Sequence, residues 1–184
     1  MARRRDSAFQ SALAILVPEA ERLVAPFRER YDPSAASGMP AHITLLYPFM
    51  PPADIDPTVV GKLAECLGEF AVFDFSLTAI GYFDPGVLYL ALQPDQPFRR
   101  MTLAVWAGWP QCPPYGGRYA EIIPHLTVAE VADAQLCDQI ARDFARAADG
   151  KLPVRARATT ATLLDKRRGR WRIHTEIPLG GRRM

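Results

Sequence analysis

Two short motifs carry residue types that could do chemistry together: His42-Ile43-Thr44-Leu45 and His125-Leu126-Thr127-Val128. The chain holds only three His and nine Thr among 184 residues, so random placement predicts well under one HxT triplet. In an extended strand, side chains at i and i+2 share a face and lie about 7 Å apart. Each motif therefore sets an imidazole beside a hydroxyl and turns Ile43 and Leu45, or Leu126 and Val128, the other way. Two imidazoles with an ordinary pKa of about 6.5 can serve at neutral pH as one base and one acid. The two hydroxyls can donate to phosphoryl oxygens whose charge grows in a transition state. Such a set suits phosphodiester cleavage at a ribose 2′,3′ edge, with no metal and no cofactor. HxT is not a metal-ligand spacing such as HExxH, and three His in all argue against a zinc enzyme.

The elements that must position these residues are legible from period and punctuation. Ser11–Val17 reads as a buried strand stopped by Pro18, and Glu19–Tyr31 as a helix with Leu23, Val24, Phe27 and Tyr31 at helical spacing. A Ser/Ala/Gly/Pro loop, Asp32–Pro40, leads to strand His42–Tyr47. The Pro-rich stretch Pro48–Pro57 leads to a helix at Thr58–Phe70. Strands Val72–Tyr82 and Val87–Gln93 flank the turn Asp84-Pro85-Gly86. The order then restarts, with a helix at Pro97–Gly108, strand His125–Glu130 and a helix at Asp133–Ala148. Strands Val154–Leu164 and Arg170–Ile177 close the chain. The intervals His42–Pro94 and His125–Pro178 differ by one residue, so the chain reads as a structural duplication. The expected fold is α+β: a single domain, residues 1–184, of two pseudo-symmetric lobes. Two mostly antiparallel sheets flank a central cleft, with helices on the outer faces. Residues 1–9 and 180–184 are expected to be flexible ends.

Composition sets the outer bounds. At 49% hydrophobic and 23% charged the chain is neither disordered nor fibrous, and it is long enough for a sizeable core. The formal net charge of +2 conceals an asymmetry, because residues 151–184 hold ten Lys or Arg against two acids. In the last strand Arg170, Arg172, His174 and Glu176 alternate with Trp171, Ile173, Thr175 and Ile177. The polar set should share the face that carries His125 in its own strand, and Arg155 and Arg157 alternate likewise. Together they would make a basic rim that steers phosphates. His174 itself reads as a solvated surface residue. Cys66, Cys112 and Cys137 form no CxxC pair and read as reduced. No apolar run is long enough to span a membrane and no signal-peptide pattern is evident, so a cytoplasmic monomer that does not engage membranes is expected.

The paired motifs in a duplicated α+β chain resemble the two-histidine (2H) phosphoesterase superfamily, in its 2′-5′ RNA ligase-like (LigT-like) branch. The stretch from Ala41 through Phe49 carries the likeness. So does the stretch from Tyr115-Gly116-Gly117-Arg118 to Ile123-Pro124-His125-Leu126-Thr127-Val128. It spans roughly residues 10–179. The resemblance implies a bilobal fold with a central cleft and metal-independent cleavage of cyclic phosphodiesters, or reversible 2′-5′ RNA joining. The partner would be a nucleotide or RNA with a cyclic phosphate or 2′-5′ linkage. His42, Thr44, His125 and Thr127 fall on the family's catalytic positions. Tyr115, Arg118, Arg170 and Arg172 are the candidate substrate and phosphate contacts. The alternative is a non-catalytic RNA- or nucleotide-phosphate-binding module, which the basic C-terminal third favours and the two intact motifs oppose.

Overall fold

A computed structural model describes residues 10–180. Residues 1–9 and 181–184, expected as flexible ends, lie outside the described residues, whereas Gly180 donates its N–H to the Phe70 carbonyl at 2.7 Å. Strand β1 (Ser11–Leu16) ends where Pro18 cannot continue a ladder and instead seats at the first position of α1 (Pro18–Tyr31). Glu19 and Glu21 in its first turn and Arg28 and Arg30 in its last complement the helix dipole. The stretch expected as a loop contains a short helix, α2 (Pro33–Ala36). Asp32 starts it by accepting from the Ser34 N–H at 2.8 Å. Then follow β2 (His42–Leu46), α3 (Pro57–Leu67), β3 (Phe73–Phe83), β4 (Val87–Gln93) and α4 (Gln96–Gly108). β5 (His125–Glu130), α5 (Ala134–Ala148), β6 (Val154–Ala158), β7 (Thr160–Arg167) and β8 (Arg170–Pro178) complete the order.

The strands form two four-stranded antiparallel sheets, in the orders β2-β1-β7-β8 and β5-β4-β3-β6. The expected α+β architecture of two antiparallel sheets covered by helices is what the chain adopts. The halves are nevertheless exchanged. β3 follows the first HxT strand in sequence but joins the second sheet, and β7 and β8 return to the first. The single strand expected at Val154–Leu164 is therefore two strands in different sheets. The break falls at Thr159, whose carbonyl accepts from the Leu179 N–H at 2.9 Å. Burial alternates before the break (Ala156, Ala158) and is continuous after it, from Ala161 to Asp165; the face turned to the main core moves from even numbers to odd ones (Ala161, Leu163).

Helices α1 and α5 pack over the second sheet, and α3 and α4 over the first. Between them lies one contiguous core that includes Leu13, Ile15, Ile43, Leu88, Leu90, Leu126 and Val128. The residues that separate each His from its Thr thus anchor both motif strands. Each such fully buried aliphatic side chain is worth roughly 1.5–3 kcal/mol.

Candidate active site

β2 and β5 are edge strands of their own sheets and lie against each other. Register fixes which face each motif presents. His42 and Thr44 stand opposite Leu16 and Ala14 on β1, and His125 and Thr127 opposite Ala91 and Tyr89 on β4. These four candidate side chains are half-buried on the faces turned away from the helices, while Ile43, Leu126 and Val128 are fully buried.

The two imidazoles are held in the same way. His42 Nδ1 lies 2.8 Å from the Pro40 carbonyl and His125 Nδ1 lies 2.6 Å from the Ile123 carbonyl. A carbonyl can only accept, so Nδ1 carries the hydrogen and Nε2 is the nitrogen that exchanges protons. The local backbone serves these tethers: the Ala41 N–H donates to Glu21 at 2.5 Å and the Ala41 carbonyl accepts from Val17 at 2.8 Å.

Electrostatics separates the pair. Burial, reinforced by the Arg28 guanidinium, pushes His42 down to about 4, and His125 adds to the depression. His125 is lowered by burial and partly restored by its bond to Ile123. Arg28 is itself 2% exposed and engages Asp32 through Nε (3.1 Å) and Nη2 (3.0 Å). The pair ties the end of α1 to the segment that delivers Pro40 and His42.

Tyr115 joins the two motifs. It sits in a left-handed turn, Pro114–Gly117, where Tyr115, Gly116 and Gly117 have φ of 52°, 65° and 74°. A non-glycine residue is uncommon there, and its neighbours hold it: its N–H donates to the Tyr47 carbonyl at 2.6 Å. Its hydroxyl hydrogen-bonds Thr44, and burial raises its pKa to about 12, so it remains a phenol. Its ring is stacked on His125 at 6.5 Å, and Phe83 (4.9 Å) and Tyr89 (5.3 Å) present edges to the same imidazole.

The remaining sequence candidates are dispersed. Arg118 is exposed and its Nε donates to the Tyr115 carbonyl at 3.1 Å, so it braces the turn. The basic-rim expectation needs correcting for Arg170 and Arg172. The β7–β8 register slips between Leu163 and Leu164, so His174 interrupts the alternation. Arg172 then stands opposite Asp165, in the row of Ser11, and Arg170 stands opposite Arg167. That is the face opposite the row Ala14–Thr44. Lys166 and Trp171 take the face of Thr44 instead, 5.9 Å apart as a cation over a ring. His174 is not merely solvated: its Nδ1 lies 3.0 Å from Asp165 Oδ2. Burial raises the Asp165 carboxyl, but hydrogen bonds from His174 and Arg167 outweigh it and leave it lowered.

Sequence reasoning passed over Arg28, Phe83 and Tyr89. Arg28 follows Val24 by four residues in the apolar stripe of α1, which was the available signal. Tyr89 and Ala91 alternate with Leu88, Leu90 and Leu92, which marks them as the open face of β4. All three cysteines are free. Among the described residues, no cluster of three or more His, Cys, Asp or Glu could hold a metal ion, and no helix is long and apolar enough to cross a membrane.

Two antiparallel sheets whose abutting edge strands each offer an imidazole and a threonine define the architecture of two-histidine phosphoesterases. The chain belongs to the 2′-5′ RNA ligase superfamily, whose family model matches residues 16–170. It is 31% identical over 106 residues to a Bacillus licheniformis protein provisionally named a phosphoesterase. That match spans 56% of this chain and about three-fifths (60%) of the relative. The fold matches Escherichia coli LigT without ligand at a TM-score of 0.57 and 18% identity, covering 92% of this chain and 96% of that one. E. coli LigT complexed with 3′-AMP matches at 0.57 and 19%, covering 92% and 97%. A Thermus thermophilus protein matches at 0.61 and 17%, covering 95% and 100%.

Proposed function

We propose that this chain is a metal-independent phosphoesterase that opens 2′,3′-cyclic phosphates or 2′-5′ linkages of nucleotides or RNA by acid–base catalysis between His42 and His125. The observation that carries the reading is the matched tether of both Nδ1 atoms, which leaves each Nε2 to exchange protons beside a threonine hydroxyl. His42, held neutral by burial and Arg28, is the base and takes a proton from water as its oxygen attacks phosphorus. The bond from phosphorus to the departing ribose oxygen breaks, and protonated His125 gives that oxygen its proton. Thr44, oriented by Tyr115, and Thr127 donate to the non-bridging oxygens. With a ribose 5′-hydroxyl in place of water as the nucleophile, the same groups would break the bond from phosphorus to the 3′ oxygen, protonate that oxygen and leave a 2′-5′ linkage. The solved LigT complex with 3′-AMP, a nucleotide phosphomonoester, supports the substrate class.

The test is hydrolysis of nucleoside 2′,3′-cyclic phosphates and 2′-5′-linked oligonucleotides in EDTA. Turnover survives the chelator in the parent chain and falls about 10²–10⁴-fold in each of His42→Ala and His125→Ala. Activity that requires a divalent cation would overturn the reading. Salt-sensitive RNA binding that persists in both variants, without turnover in any form of the protein, would instead establish a binding module.

A further inference from the structure

On the second sheet, β4, β3 and β6 each contribute one polar side chain to a single row: Gln93 stands opposite Ser76, and Ser76 opposite Arg155. Gln93 follows Ala91 by two residues, and Ala91 stands opposite His125, so the row lies on the face of His125. The three side chains line a hollow of about 630 Å³ together with Glu19, Asp74 and Arg157. Arg157 lies 3.6 Å from Asp74, whereas Arg155 has no ion-pair partner among the described residues. Three strand spacings separate β5 from β6, so Arg155 is about 15 Å from the imidazole across the open face. One nucleoside cannot span that distance.

A 2′,3′-cyclic phosphate closes the 3′ end of a chain, so any further nucleotides run away from it on the 5′ side. We propose that the Gln93–Ser76–Arg155 row binds an upstream phosphodiester of the substrate. This makes an oligoribonucleotide with a cyclic phosphate end a better substrate than a free nucleoside cyclic phosphate. The inference rests on the catalytic reading above and extends it to substrate length. The chemistry of the hollow selects a diester. Two arginines face two carboxylates, which gives no net attraction for a doubly charged terminal phosphate. A singly charged diester can take the unpaired guanidinium and the neutral hydroxyl and amide donors together.

The experiment compares kcat/KM for a nucleoside 2′,3′-cyclic phosphate and for oligoribonucleotides of increasing length with the same end, in the parent chain and in Arg155→Ala. We expect kcat/KM to rise about tenfold with length, and Arg155→Ala to remove that gain and leave the nucleoside substrate unchanged. Length-independent kcat/KM overturns the proposal, and so does an Arg155→Ala loss that is equal for both substrates. If no substrate turns over, the catalytic reading fails and the subsite is judged by binding alone, with a fluorescent oligoribonucleotide 3′-phosphate as probe. Affinity weakened about tenfold in Arg155→Ala, with a salt slope shallower by about one, supports the subsite; unchanged affinity overturns it.

Discussion

His42 and His125 share a tether but not an environment, and that difference sets a pH dependence. Protonating His42 in the free protein must overcome burial and the Arg28 charge, so this proposed base keeps its lone pair down to about pH 4. His125 must be protonated to act as the acid, and its pKa also lies below the ordinary imidazole value. On the proposed roles, activity should fall at low pH as the base is protonated and at higher pH as the acid loses its proton. The kcat/KM profile is therefore a bell with its maximum below about pH 6.5. Because the groups interact, the two limbs report the pair. Bound phosphate favours both protonated imidazoles, so the kcat profile is displaced to higher pH. Initial-rate measurements from about pH 4 to 8 check this, and a kcat/KM maximum above about pH 7 would contradict the assignment.

At the scale of elements, β3 and β4 hold their aromatic cluster through a glycine. Gly81 stands opposite Tyr89, and a Cβ at Gly81 would run into the Tyr89 ring. Tyr89 thus lies across its partner strand and stacks on Phe83, with centroids 4.1 Å apart, beside His125. Gly81→Ala should cost about 1–3 kcal/mol and lower the urea midpoint without changing its slope. Gly61→Ala on α3, where an added Cβ meets nothing within 4 Å, should stabilise by up to about 1 kcal/mol. Much of this level is legible in the residues. Prolines mark the strand ends, and leucine alternation marks the buried face of β4. The β8 alternation misleads because a bulge at His174 shifts parity, and a bulge has no signature in a run of polar and apolar residues. The split at Thr159 is visible only as a change of parity among alanines. Tyr115 stands out in the sequence for its Gly-Gly neighbours, but its bond to Thr44 depends on a left-handed turn that brings distant residues together.

For the whole molecule, the buried imidazole links folding to acidity. An unfolded His42 takes up a proton as pH falls through about 6.5, whereas the folded one resists until about 4. Between those values the unfolded chain binds more protons, so stability declines as pH falls across this window and is level above it. His125 acts in the same direction. Asp165 is lowered instead, so its contribution is present above its ordinary value of 3.8 and is lost below it, outside this window. Urea midpoints measured from about pH 7.5 to 4.5 should show the decline, and His42→Gln should flatten it. A flat parent profile would refute the linkage. The sheet exchange, by contrast, lies beyond sequence reasoning. A duplicated order of elements predicts two similar halves but does not say which sheet a swapped strand joins.

That exchange sets the order in which the two sheets can be completed as the chain is made. The strands that finish the first sheet are β7, which pairs with β1 and begins only at Thr160, and then β8, while β3 is lent forward to the second sheet. A ribosome has therefore passed both histidine codons, and all of the second sheet, before the first histidine's sheet can close. Until β7 arrives, β1 has one edge of unpaired backbone donors and acceptors.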